Sequence, residues 1–380
     1  MQQVRQKERA KGRRDGFSSG YKHGYRLGTA EAVVSQIPMM PTNPSPMRIL
    51  YIPQGFEAID HGCSIALSKM SSAYAEAHPS RLVDEAQRFK PDLIVVLNAL
   101  HVFPQEHPEH IIWAKQQGIR TAIWFVDDPY FTQDTAVLAP YYDFVFTHEQ
   151  KCIPFYKQLG CRHVYHLPLA AATERFRPVR SEHRYCHDIC FIGNGFWNRV
   201  AFFDSYAEQL MKYDICIAGG YWDRMVTHAR WGDRLRSGWV PLEESVYYYN
   251  SSKIILNIHR PHEQGADNRN TFDLPAQSIN PRTYEIAACG AFQLTDIRSD
   301  LTQMYTPGWD IETFQTGEEL MQKIEYYLTH EEERMRIAMR SLQTTFMRHT
   351  FEHRVRHMLD VIERGYSVST VALLNGQSMQ

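Results

Sequence analysis

At 380 residues the chain exceeds the size at which one hydrophobic core usually stops growing, so two domains are expected. A formal charge of −2 provides no basic field for general nucleic-acid binding, and seven Cys without a CxxC pair do not form a secreted disulfide framework. No apolar run approaches the ~20 residues of a membrane span, and no apolar region follows the basic N-terminus as in a signal peptide, so a cytoplasmic protein is expected. The spacing Cys186-His187-Asp188-Ile189-Cys190 suggests metal, but it lies in a strand pattern, which favours buried thiols and no metal site.

Residues 1–46 stand apart. The first thirty carry eight Lys or Arg against Glu8 and Asp15, and Gly12, Gly16, Gly20, Gly24 and Gly28 recur every fourth residue. Five Gly cost a helix roughly 4–5 kcal/mol relative to Ala. A helix here needs a compensating contact, such as a second backbone packed against the Gly ridge. Two readings stand: a helical arm docking on the body or on a second subunit, and a flexible basic leader. Pro38, Pro41, Pro44 and Pro46 then mark a non-helical linker.

From Arg48 the pattern alternates strand and helix. Strands are predicted at 48–53, 92–98, 120–126, 143–148 and 163–166, with a helical stretch through Ala66 to Ala77. Short apolar runs separated by helices indicate a parallel sheet covered on both faces. Ligands of such sheets bind beyond the carboxyl ends of the strands, which selects Asn98, His101, Asp127, Asp128 and His148.

An Arg-rich connector, 173–184, leads to a second series with strands at 187–193, 213–220 and 253–259. The first of these ends in Gly193-Asn194-Gly195, with Arg199 on the following helix: glycines allow close backbone approach, and an Arg forks onto a diphosphate. Tight strand–helix turns also use such glycines without any ligand. Asn257, His259 and Arg260 end a strand on the same crevice. The polar run 262–278 reads as a loop over it.

Asn280-Pro-Arg-Thr-Tyr-Glu-Ile-Ala-Ala-Cys-Gly290 then reads as a short helix. Pro281 suits the first turn and Gly290 the position past the end. A strand at 291–296, an edge strand at 310–314 and helices at 317–329, 331–348 and 351–364 follow, with residues from Tyr366 onward frayed. Arg282 and Glu285 share one helix face, where they either pair or bind a ligand.

The run Glu285-x-x-Ala-x-Gly290, with Asn280, Arg282 and the helical tail, resembles the CgeB-like glycosyltransferases of the two-Rossmann-domain (GT-B) superfamily. The resemblance implies an α/β fold of two Rossmann-like domains facing across a cleft: an acceptor domain at 47–172 and a nucleotide-sugar domain at 173–345. A Gly-periodic arm precedes them at 1–46, and a crossover helix and tail follow at 346–380. It further implies that Glu285 accepts hydrogen bonds from the ribose hydroxyls of a donor, most simply a UDP-sugar. Asn280, Arg282, Gly290, Gly193, Asn194, Gly195, Arg199, Asn257, His259 and Arg260 would surround that donor. No cofactor beyond this co-substrate and no metal are implied.

Many retaining relatives carry a second Glu eight residues earlier, where this chain has Gln277. Asp127 or Asp128, or more weakly His101, would deprotonate an acceptor hydroxyl in an inverting transfer; an Asp here also suits the cap of a helix beginning with Pro129. Asp127-Asp128 also resembles the metal-binding pair of single-domain glycosyltransferases, although the donor signature here is C-terminal. The acceptor expected is a glycan or protein, in the cytoplasm or on a spore, with a homo-oligomer through the arm. The alternatives are a nucleotide-sugar epimerase and a non-catalytic coat or assembly protein.

Overall fold

The computed structural model describes residues 2–41 and 43–376. The arm is a helix, α1 (Gln2–Ser35). The first domain alternates β1 (Ser45–Ile52), α2 (Glu57–Met70), β2 (Ser71–Glu76), α3 (Leu82–Phe89), β3 (Leu93–Leu97), α4 (His107–Gln116), β4 (Arg120–Phe125), α5 (Thr132–Leu138), β5 (Phe144–Thr147), α6 (Cys152–Gln158) and β6 (His163–His166). All six strands are parallel, in the order β2-β1-β3-β4-β5-β6. Every residue of β3, Leu-Ile-Val-Val-Leu, is buried, as helices on both faces of a sheet require.

The second domain follows with β7 (Ile189–Ile192), α7 (Trp197–Ser205), α8 (Ala207–Leu210), β8 (Ile215–Gly219), α9 (His228–Trp231), β9 (Leu235–Ser237), α10 (Leu242–Ser251), β10 (Ile254–Asn257), α11 (Pro281–Ala288), β11 (Gln293–Asp296), α12 (Leu301–Met304), β12 (Glu312–Phe314), α13 (Gly317–Thr329) and α14 (Glu331–Arg348). Its strands are also parallel, ordered β12-β11-β10-β7-β8-β9. Strand order reverses between β1 and β3 in one sheet and between β7 and β10 in the other. The loops after β1, β7 and β10, with those after β4 and β5, line one interdomain cavity.

Two strands differ from expectation. Residues 71–76 read as the continuation of a helix but form β2, and β9 was not expected. Ser-Ser-Ala-Tyr-Ala-Glu and Leu-Arg-Ser have no apolar run of their own. Pairing with β1 and β8 decides their state.

The arm docks on the second domain, though not through its glycines. A Cβ added at any of Gly12, Gly16, Gly20, Gly24 or Gly28 would meet nothing within 4 Å. The contact is made lower down: Ala30 is fully buried, Val33 and Val34 pack on the core beside β7, and Lys22 pairs with Glu331 at 2.5 Å. Phe17, Tyr21 and Tyr25 are 78, 66 and 60% exposed.

The last helix, α15 (Phe351–Gly376), returns to the first domain. It continues past the fraying expected from Tyr366; residues 377–380 lie outside the described residues. Phe351, Val355, Met358, Leu359 and Ile362 are buried in the core that contains α2 and β4. The Phe351 ring lies over Gly62, where an added Cβ would sit 2.2 Å from it. Gly62→Ala is therefore expected to destabilise the chain by about 1–3 kcal/mol through overpacking, measured by urea denaturation. Gly118→Ala, at a positive-φ turn open to space, is the contrasting case of pure backbone strain.

The loop 262–278 does cross the cleft. The Arg269 N–H donates to the Tyr130 carbonyl, and Thr132 Oγ1 donates to Asn270 Oδ1. Glu149, just after β5, accepts from the backbone N–H groups of Gln277 and Ser278 at 2.7 and 2.9 Å. The position of the missing second carboxylate is thus anchored to the first domain by its backbone.

Candidate functional site

The cavity between the domains has a volume of about 400 Å³. Helix α11 forms one wall. Asn280 caps it, Oδ1 accepting from the Thr283 N–H at 3.0 Å, and Pro281 occupies its first turn. The Asn280 and Asn257 side-chain amides bond each other reciprocally, and Asn257 also donates to Thr283 Oγ1. His259 donates from Nδ1 to Asp296 Oδ1 at 2.6 Å, while Nε2 accepts from the Asn280 N–H at 3.1 Å. Asn257 and His259 hold the helix start and do not line the cavity, whereas Asn280 caps the helix and also lines the cavity.

Two of the glycines are likewise architectural. Gly290 ends α11 at φ +60° against Met339 and Leu342. Gly195 packs so closely on Tyr221 and Trp222 that a Cβ would sit 2.8 Å from the Tyr221 carbonyl oxygen. Gly193 is different, because it lines the cavity. A Cβ there would lie 3.2 Å from both Arg199 Nη1 and Arg282 Nη2. Asn194 also lines the cavity, its side chain accepting from the Gly220 N–H.

Arg199 is 1% exposed and has no carboxylate partner among the described residues. It donates to the Ile258 and Asn194 carbonyls, at 2.9 and 2.8 Å. Burial, and then the neighbouring Arg282, push its pKa well down. Arg282 makes no hydrogen bond or ion pair with any described residue. Arg260 stacks on Tyr130 and Phe196 at 4.6 and 4.7 Å, with Nε donating to Asn268. All three line the cavity. A buried cation without a counter-ion is expensive, so this cluster suits a polyanion.

Glu285 lies beside them. Its carboxylate has no hydrogen bond or ion pair with the described residues, and burial raises it to about 7 despite the opposing charge of Arg282. The face shared by Arg282 and Glu285 is thus free of a mutual pair and open to a ligand. Gly238, Trp239 and Val240 close this end, with Trp239 82% exposed; sequence reasoning missed them. The signal was Gly-Trp-Val-Pro between two elements, with a positive-φ Gly.

The first domain brings Asp127, Tyr130 and His148 to the cavity. Burial raises the Asp127 carboxyl against the charges of Arg260 and His101. Asp128 does not line the cavity. It is fully buried, with Oδ2 accepting from Thr147 Oγ1 and from the Tyr156 hydroxyl, so it does not touch a substrate directly. The helix expected to begin at Pro129 begins at Thr132. His101 is an exposed residue packed edge-on against Phe131, outside the cavity wall. His148 takes the place assigned to it. Its Nε2 stands 3.5 Å from Asp128 Oδ1, neither ring nitrogen is hydrogen-bonded, and burial lowers its pKa to about 3.

Comparison with known proteins agrees with this geometry. Residues 199–360 match the family model described as glycosyl transferase-like. The chain is 27% identical over 321 residues to the spore protein CgeB of Bacillus subtilis (strain 168), covering 80% of this chain and 96% of that protein. The chain has the GT-B fold and is similar to CgeB over most of its length. Among solved structures it is similar to HepE of Anabaena in complex with UDP and glucose, with a TM-score of 0.56 and 10% identity over 84% of this chain and all of that one. Sucrose-phosphate synthase of Thermosynechococcus elongatus gives 0.57 at 11% identity, over 84% and 99%. The catalytic domain of starch synthase IV from Arabidopsis thaliana gives 0.57 at 8%, over 85% and 100%. Among the described residues no helix is long and apolar enough to cross a membrane, and no group of three or more His, Cys, Asp or Glu could hold a metal ion.

Proposed function

We propose that the chain transfers a sugar from a UDP-sugar to a hydroxyl of a glycan or protein acceptor of the spore surface, without a metal. The observation that carries this reading is the convergence of Arg199 and Arg282 on Gly193, with Arg260 lining the same cavity and Glu285 unpaired among the described residues beside Arg282. The diphosphate lies over Gly193 at the start of α11, where the arginines and the helix N-terminus supply the positive charge. Glu285 takes the ribose hydroxyls, and the Trp239 ring offers a face for the base. The acceptor oxygen bonds to the anomeric carbon as the bond from that carbon to the diphosphate breaks. The electron pair leaves with the diphosphate, and the hydroxyl proton passes to His148, whose protonated ring faces Asp128.

Thermal stability against uridine, guanosine, thymidine, cytidine and adenosine diphosphates, with and without magnesium, tests the donor site. UDP at about 100 times its Kd should stabilise by about 2.7 kcal/mol, equally in EDTA. Arg282→Ala should weaken UDP binding about 10–100-fold, as for loss of a charged hydrogen bond. Failure of every nucleotide to shift the folded protein would sink the reading. Consumption of a UDP-sugar without acceptor, yielding an altered sugar nucleotide, would favour an epimerase instead.

A second role is supported by the exposed aromatic stripe of α1 and its open Gly ridge: assembly of the chain through the arm. Gel filtration of the full chain and of one lacking residues 1–20 should show a larger species only for the first. Equal masses would refute it.

A further inference from the structure

Helix α11 presents Arg282 and Glu285 to the cavity, and its other end is held from far away in the sequence. Arg26, on the arm, donates from Nη1 to the Cys289 and Gly290 carbonyls at 3.2 and 3.4 Å. Its Nη2 donates to Asn250 Oδ1 at 3.0 Å. The last carbonyls of a helix have no partners within it, and a cation there complements the helix dipole. Arg26 provides both. It meets no carboxylate among the described residues, so these neutral acceptors are what it serves.

Asn250 makes the contact a junction. Its Nδ2 donates to the Arg177 and Val246 carbonyls at 3.1 and 2.9 Å, and Oδ1 also accepts from the Val179 N–H at 2.9 Å. One amide thus ties α10, the interdomain connector and, through Arg26, the arm and α11. Both helices face the cavity on their other side: α10 with Ser245 and Tyr249, α11 with Arg282 and Glu285. With eight residues, α11 is about 12 Å long. A shift at Gly290 is therefore transmitted to Glu285, little more than one turn away.

We propose that Arg26 is a positioning residue for donor binding: the arm braces the end of α11 and so holds Arg282 and Glu285 where the nucleotide needs them. The arm then has two parts. The part from Arg26 onward belongs to the donor site, and the part before it does not. This proposal rests on the donor reading above.

The test uses the full chain with Arg26→Met, Arg26→Lys and, as a control, Lys22→Ala, which breaks the arm's exposed pair with Glu331 and leaves α11 alone. Amide hydrogen exchange at residues 286–291, measured without nucleotide, should be at least tenfold faster in Arg26→Met and near wild type in Lys22→Ala. UDP should bind about tenfold more weakly to Arg26→Met, with Arg26→Lys recovering part of the loss. In transfer assays KM for the donor should rise while kcat stays unchanged. Unchanged exchange in Arg26→Met, at equal thermal stability, overturns the brace. Faster exchange with an unchanged UDP Kd overturns the positioning role. A wild-type chain that binds no UDP overturns the donor reading itself, and is recognised before any variant is compared.

Discussion

Glu285→Gln should make the unliganded protein more stable at pH 8 and weaken its binding of UDP about 10–100-fold. The carboxyl's ordinary value of 4.5 rises to about 7 in the fold because burial disfavours its charge. Between those two values the folded state binds more protons than the unfolded state, so stability falls as pH rises. Above pH 7 the ionised group costs the fold about 3 kcal/mol, at 1.36 kcal/mol for each tenfold change in proton affinity. The amide removes that cost. The difference in Tm between variant and wild type should be near zero below pH 4.5, grow between 4.5 and 7, and stay at a few degrees above. Calorimetry across that range measures it. Ligand affinity moves the other way: a carboxylate accepting two hydroxyls gives up about 1.5–3 kcal/mol when replaced, about 10–100-fold in Kd. A variant with unchanged stability at pH 8 would mean that Glu285 is solvated. An unchanged Kd would remove it from the donor site.

His148→Ala should lower kcat for transfer about 10²–10⁴-fold while leaving the UDP Kd unchanged, the range for removing a general base. The ring is neutral at pH 7, lines the cavity and lies on the wall opposite Arg282. Asp128 behind it is raised by burial to about 8. A carboxylate there is needed to stabilise the protonated ring, so kcat/KM should rise with pH through about 8. Asp128→Asn should flatten that rise without changing nucleotide affinity. The transferred linkage, read by NMR, should have the anomeric configuration opposite to the donor. Retention of configuration, or a kcat within threefold of wild type in His148→Ala, would exclude the proton-acceptor role.

Much of the architecture could be read from residue order. Leu-Ile-Val-Val-Leu at 93–97 and Ile-Ile-Leu-Asn at 254–257 are buried on both faces, and such runs are recognisable without partners. Edge strands are not. Ser71–Glu76 has only half a buried face and took its state from β1, so local pattern could not distinguish it from the end of α2. The candidate site was partly readable for a related reason. Gly193, Arg199, Arg282 and Glu285 sit at strand ends and on one helix face, positions that spacing alone defines. Asn257, His259 and Asn280 have the same positions, yet they bond one another. Chain order names the residues near a crevice and does not reveal which of them have already found partners.

The first domain shows the limit most clearly. Asp127 and Asp128 are adjacent in the turn after β4, and the turn sends them to different places, one to the cavity and one into the core. His148, from the next strand, is what Asp128 meets. The arm repeats the lesson: its Gly period drew attention to a ridge that packs on nothing in this chain, while Arg26, one of eight basic residues with no distinguishing neighbour, reaches the end of α11. The sequence by itself determined the two parallel sheets, the last helix and the short helix bearing Arg282 and Glu285, because hydrophobic runs, caps and turn residues act over a few positions. Tertiary structure alone decided which polar groups are satisfied and which stay buried without a partner. That depends on groups far apart in the chain meeting at hydrogen-bond distance, as Arg26 and Gly290 do across 264 positions, and no local pattern encodes it.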